Sequence, residues 1–210
     1  MIEQWKKGIE DLLTAVKKTP DDAQAHFELA LAYRKEKRFD EAARAYETSL
    51  RLNPDNKKAL HGLAIAYRKL KRYEESIVVC RRALKLDPDY AKVYFNLALV
   101  FEEQGKWEEA VEEHRKVLTI DAEDFQAHYN LGRAYSALNR FADAIASFKE
   151  AVRLDSEDGL AHLELARACH AVNDGLKAIY HIRQAKQLLA NDKKGLEEAS
   201  GLLIKIREIS

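Results

Sequence analysis

The sequence predicts an all-α protein, a right-handed superhelical solenoid of helix–turn–helix repeats, and three observations predict it. Pro20, Pro54 and Pro88 stand 34 residues apart, a period that belongs to stacked helix pairs. Only 8 Gly and 3 Pro interrupt the 210 residues, few for a β-rich or linker-rich chain and suited to long helices. Apolar residues make up 47 % and charged residues 33 %, a balance that buries a core, keeps a solvated surface and excludes disorder as the main state.

Counting each unit from the third residue after a proline places the other marks in register. The seventh place reads Leu29, Leu63, Leu97, Leu131 and Leu165. The eighth is always small, from Ala30 through Gly132 to Ala166, and the twentieth is Ala42, Ser76, Ala110, Ala144 and Ala178. Small residues at those two places let antiparallel helices approach closely, while large ones at the seventh, eleventh and twenty-fourth fill the space beside them. Proline cannot extend the helix before it, so it closes one unit. Asp21, Asp22, Asp55 and Asp89 are then placed to cap the helix that follows.

With these marks in register five times, the chain resembles the tetratricopeptide-repeat family over nearly its whole length. In order, residues 1–19 read as a lone second helix, a half-repeat, with Trp5 and Gly8 at the places of Phe39 and Ala42. Five repeats follow over 23–192, at 23–56, 57–90, 91–124, 125–158 and 159–192. Residues 193–210 read as a capping first helix. The last two repeats are less regular, with Ser156 and Ala190 where proline would stand, and Cys169 and Gly175 at aromatic places.

The resemblance implies a function in protein–protein interaction, as a non-enzymatic adaptor or assembly factor that holds a peptide or amphipathic helix in a concave groove lined by first helices. Helical periodicity assigns the fifth and ninth places to that groove. They hold Phe27 and Leu31, His61 and Ile65, Phe95 and Leu99, then Tyr129 and Arg133. Arg34, Lys35, Lys58, Arg68, Lys69 and Lys92 surround the apolar row, so the expected ligand is apolar with acidic residues. Asn96 and Asn130 share the sixth place, where the resemblance implies a hydrogen bond to the ligand backbone. The Lys and Asn set by which chaperone-binding members grip a C-terminal carboxylate is replaced here by Phe27, Leu31, His61, Ile65, Phe95 and Leu99, which disfavours that ligand.

Two further function classes stand beside the adaptor. The half-repeats at either end could join head to tail into a self-assembling scaffold, with Trp5, Ile204, Ile206 and Ile209 as the contact residues. The chain could also be the regulatory domain of a larger enzyme. Net charge is zero, which gives no global field toward nucleic acid or anionic lipid. Charge is uneven locally: residues 57–90 hold nine Lys/Arg against four Asp/Glu, and 91–124 hold four against nine. Two cysteines without CxxC spacing, no signal-peptide pattern and no apolar run of membrane length point to the cytoplasm.

Residues of chemical type read as structural. His26, His128 and His162 share the fourth place, but successive repeats stand roughly 10 Å apart while zinc ligands lie about 2 Å from the ion. Cys80 and His114 occupy the twenty-fourth place as core fillers, and Cys169 replaces a core tyrosine. The run Glu108, Glu109, Glu112 and Glu113 reads as a solvated face. No catalytic set, Gly-rich phosphate loop, metal site or cofactor is expected.

Overall fold

The computed structural model describes residues 2–209, with side chains from Gly8 to Ile206. All the regular structure among the described residues is helical: α1 (Ile2–Lys18), α2 (Ala23–Lys35), α3 (Phe39–Leu52), α4 (Lys57–Lys69), α5 (Tyr73–Leu86), α6 (Ala91–Glu103), α7 (Trp107–Ile120), α8 (Phe125–Ala137), α9 (Phe141–Leu154), α10 (Gly159–Ala171), α11 (Gly175–Leu188) and α12 (Lys193–Ile209). The chain is an all-α helical-repeat solenoid. It forms two compact units, residues 1–100 and 101–210.

In the first unit α1 packs on α2, α2 on α3, α3 on α4 and α4 on α5. Ala30, Ala42 and Ala64 are fully buried, at the close approaches that their register requires. Tyr46 is also fully buried, and its ring occupies the space a side chain at Gly62 would need, since an added Cβ would collide with Tyr46 Cζ. In the second unit α7 to α11 pack in sequence, and α12 lies against both α10 and α11. Its core runs from Val111 and Phe148 through Leu165 and Ile182 to Ile206.

The helix ends have a repeated chemistry. Asp22, Asn56, Asp124 and Asp158 cap the first helices, each side chain accepting an amide N–H within the first turn. The cap of α4 is therefore Asn56, one residue beyond the expected Asp55. Of the second helices, α11 is capped in the same way by Asp174, whereas three others begin differently. Arg38, Arg72 and Arg140 bond the carboxylates of Glu41, Glu75 and Asp143 three residues on. Each guanidinium also stacks on a tyrosine, Tyr33, Tyr67 or Tyr135, at 4.6, 4.3 and 4.6 Å from the ring centre. The turn between the helices of each pair needs one left-handed residue. Lys37, Lys71, Gly105, Asn139 and Asn173 supply it, with φ between 57° and 72°.

Candidate functional site

Within the first unit, helices α2, α4 and α6 carry the expected groove residues. Phe27, Leu31, His61, Ile65, Phe95 and Leu99 are all half-buried. Each is thus anchored by packing at its base and open on one side. The Phe27 ring lies 6.0 Å from that of Tyr46, and His61 lies 5.4 Å from Tyr90. Beside this row Arg34 is half-buried, while Lys35, Lys58, Lys69 and Lys92 are exposed. Among the described residues, no carboxylate stands within ion-pair distance of Arg34, Lys58, Lys69 or Lys92.

The uncompensated charge is felt by its neighbours. Burial pushes the His61 imidazole down to about 4, and the positive charges of Arg34 and Lys92 push the same way. The ring is therefore neutral at physiological pH, an aromatic surface between two cations.

Two expected site residues are used inside the protein instead. Arg68 is only 8 % exposed and Asn96 only 2 %, and Arg68 Nε donates to Asn96 Oδ1 at 2.9 Å. Asn96 Nδ2 in turn donates to Ser76 Oγ and Cys80 Sγ, both at 3.4 Å. The cause is volume. Where the twenty-fourth place holds Tyr46, the facing sixth place is Gly62; where it holds the smaller Cys80, the sixth place is Asn96, whose amide fills the space and binds the polar atoms there. This pairing takes both residues away from the ligand roles expected of them.

The second unit presents a different first-helix face. Tyr129 is half-buried against Phe125 and Phe148. Asn130 is 6 % exposed and accepts from Arg133 at 3.3 Å. Arg133 also lies 3.6 Å from the carboxylate of Glu102. Glu102 meets His114 Nε2 at 2.7 Å, with the His114 side chain fully buried. The expected core filler is thus one half of a buried polar pair. Further along, Arg167 binds Glu164 at 2.8 Å and Glu198 at 2.6 Å. Burial raises the Glu164 carboxyl while Arg167 and Arg133 pull it back. Charges on this face are satisfied by one another.

Ile204 is 58 % exposed, but Ile206 is 3 % exposed and packs into the core of the second unit, so it holds α12 down rather than facing another molecule. Trp5 and Ile209 lie outside the described side chains. His26 and His128 donate Nε2–H to the carbonyls of Pro20 and Ala122 at 2.9 and 3.0 Å, a structural use. Glu108, Glu109 and Glu112 are exposed, and Glu113 pairs with Lys116. Cys80 and Cys169 are free thiols, both buried. Among the described residues no three His, Cys, Asp or Glu side chains converge as a metal site, and no helix is long and apolar enough to cross a membrane.

Comparison with known proteins agrees with this architecture. Family patterns described as tetratricopeptide repeats match residues 23–56, 45–78 and 125–158, and one described as a TPR repeat matches 66–105 and 101–139. No curated protein sequence matches the chain. Among solved structures, the C-terminal part of a TPR repeat-containing protein from Cytophaga hutchinsonii is similar with a TM-score of 0.78 at 17 % identity, over 99 % of this chain and 92 % of that one. MamA from Desulfovibrio magneticus gives 0.75 at 22 %, over 81 % and 97 %. YrrB, described as a TPR protein with an unusual peptide-binding site, gives 0.73 at 16 %, over 92 % and 99 %. At these identities the structural likeness establishes the fold alone. The chain belongs to the tetratricopeptide-repeat family, and its stacked helix pairs make it a protein–protein interaction module.

Proposed function

We propose that the protein is a non-enzymatic adaptor or assembly factor that binds a peptide or amphipathic helix of a partner along the first-helix face of residues 1–100. The observation that carries this reading is the half-open apolar row Leu31, Ile65 and Leu99 beside cations that meet no carboxylate of the described residues. Partly exposed apolar side chains in a row supply affinity when a ligand covers them. Unpaired cations beside them select acidic side chains and speed encounter. The ligand is therefore apolar with flanking Asp or Glu, engaging Phe27, Leu31, Ile65, Phe95 and Leu99 through its apolar positions and Arg34, Lys58, Lys69 and Lys92 through its acids. YrrB, with its peptide-binding site, gives a precedent on the same fold.

A displayed random-peptide library selected on the purified protein tests the reading. Enriched sequences should combine apolar and acidic residues, and a Leu31→Ser, Ile65→Ser, Leu99→Ser variant of unchanged helicity should not retain them. Enrichment that survives the triple change contradicts the proposal. The two buried free thiols suit a reducing compartment, and the cytoplasm is the setting proposed. Exposed Ile204 favours a second reading, self-assembly through α12. Light scattering that finds a strict monomer at high protein concentration rejects it.

A further inference from the structure

We propose that His162 on α10 and His181 on α11 form a two-histidine site for a divalent transition-metal ion of tetragonal preference, such as Cu(II) or Ni(II). The site is separate from the peptide-binding face and does not rest on it.

The two imidazoles face each other inside one helix pair. Their Nδ1 atoms are 3.0 Å apart, and the ring centres 5.3 Å. His162 Nε2 lies 3.3 Å from the carbonyl oxygen of Ser156, and a carbonyl can only accept. That nitrogen therefore carries the proton, and His162 Nδ1 is left as a lone pair directed at His181. An N–H fixed by a backbone carbonyl is the outer-shell contact that orients metal-binding histidines.

In the neutral pair His181 Nδ1–H donates to this lone pair. A metal ion takes the place of that proton when His181 changes tautomer, moving the hydrogen to Nε2, so uptake by the neutral pair releases no proton. With metal–nitrogen bonds of about 2.0–2.1 Å, the 3.0 Å separation gives an angle at the metal of about 95°. That is near the right angle between neighbouring ligands of square-planar and octahedral ions and well short of the tetrahedral angle. His181 is half-buried, which leaves a side from which solvent completes the coordination.

The surroundings keep both rings in the form that binds metal. Burial lowers the His162 imidazole, while the Ser156 carbonyl and Asp158 act in the opposite direction. Burial also pushes His181 down to about 4, helped by His162 and by Lys149 of α9. Two other repeats provide internal controls. His26 and His128 make the same Nε2–H bond to the loop before their helix, but the place of His181 holds Ala45 and Ser147 there. Only the fifth repeat completes the pair.

Titration calorimetry of the metal-free full chain with Cu(II) and Ni(II), in a weakly chelating buffer, tests the site. We expect one site of highest affinity, weakened at least about tenfold in His181→Ala and unchanged in His26→Ala. Circular dichroism of the half-exposed His181 variant shows whether the helices are kept, and His181→Gln, which preserves bulk, should fail in the same way. Electron-spin resonance of the Cu(II) form should show two coordinating nitrogens, lost in both His181 variants. Equal affinity in His181→Ala and wild type, equal loss in His26→Ala, or a spectrum without nitrogen coupling overturns the proposal.

Discussion

The first-helix faces of the two units are built from the same register and differ in one respect: where their charge is compensated. In residues 1–100 the ninth place is Leu31, Ile65 and Leu99, and the neighbouring cations Arg34, Lys58, Lys69 and Lys92 meet no carboxylate of the described residues. In residues 101–210 the ninth place is Arg133 and Arg167, and these bind Glu102, Glu164 and Glu198. One face has apolar area and charge left to offer, while the other has spent its charges on itself. One register thus holds, side by side in sequence, a face whose ninth place is apolar beside cations that meet no carboxylate of the described residues, and a face whose ninth-place arginines are paired with acids.

The largest expected effect is on binding. For a peptide obtained by selection on the wild-type chain, Leu31→Ser, Ile65→Ser and Leu99→Ser together should weaken binding by about 100-fold or more, close to 3 kcal/mol. Arg133→Ala with Arg167→Ala should leave it within about threefold, a difference below 1 kcal/mol. Fluorescence anisotropy of a labelled peptide reads both, and comparable losses would erase the contrast.

Acid should weaken both units through histidines whose pKa the fold lowers, His61 in the first and His162 with His181 in the second. His61 and His181 hold pKa values of about 4 in the fold, against roughly 6.5 when unfolded. Below the unfolded value the open chain binds protons that the folded chain refuses, so stability is full above pH 6.5 or so and falls toward pH 4. Neighbouring groups reinforce this, the positive charges of Arg34 and Lys92 at His61 and of Lys149 at His181, where protonation of His162 would add to it. Urea midpoints measured from neutral to acid pH should decline, and His61→Gln and His181→Gln should each flatten the decline. A profile that neither variant alters contradicts the assignment.

Charge removal separates the units on a smaller scale. Arg167→Met should cost up to about 1 kcal/mol, because the pair it breaks is partly exposed, and the cost should shrink in high salt. Arg34→Met, which breaks no ion pair among the described residues, should stay within about 0.5 kcal/mol of wild type. Thermal melts at low and high salt distinguish the two, and an equal, salt-sensitive loss in both would remove the distinction.

The smallest effect lies in the turns. The first unit places Lys37 and Lys71 at positive φ, whereas the second uses Gly105, Asn139 and Asn173. A left-handed conformation costs an ordinary side chain about 1–2 kcal/mol, less for asparagine and little for glycine. Lys37→Asn should therefore stabilise by a fraction of a kcal/mol, roughly 0.5, and Asn139→Lys should destabilise by a similar amount. Opposite signs in denaturant midpoints are the test.

Periodicity made much of this structure legible. The helix starts Ala23, Lys57, Ala91, Phe125 and Gly159 are the register's first places, and the apolar ninth place is half-open as its helical position implies. What periodicity did not reveal are pairings between different places. Asn96 reads as a ligand-binding amide until Cys80 is seen to leave the space it fills. His114 reads as a core filler until Glu102 arrives from the preceding helix. The partner of His162 is His181, nineteen residues on. Each place is constrained singly by its depth in the stack, whereas these contacts depend on the joint volume and polarity of two places. The complementary sizes Tyr46 with Gly62 and Cys80 with Asn96 were the available signal.

Amide hydrogen exchange of the full chain with and without a saturating selected peptide locates the face that binds. Backbone amides exchange more slowly where a bound ligand makes local opening rarer. New protection is expected in α2, α4 and the start of α6, with α8 and α10 unchanged. Protection centred on α8 and α10 instead would place the interaction on the self-paired face and contradict the proposed function.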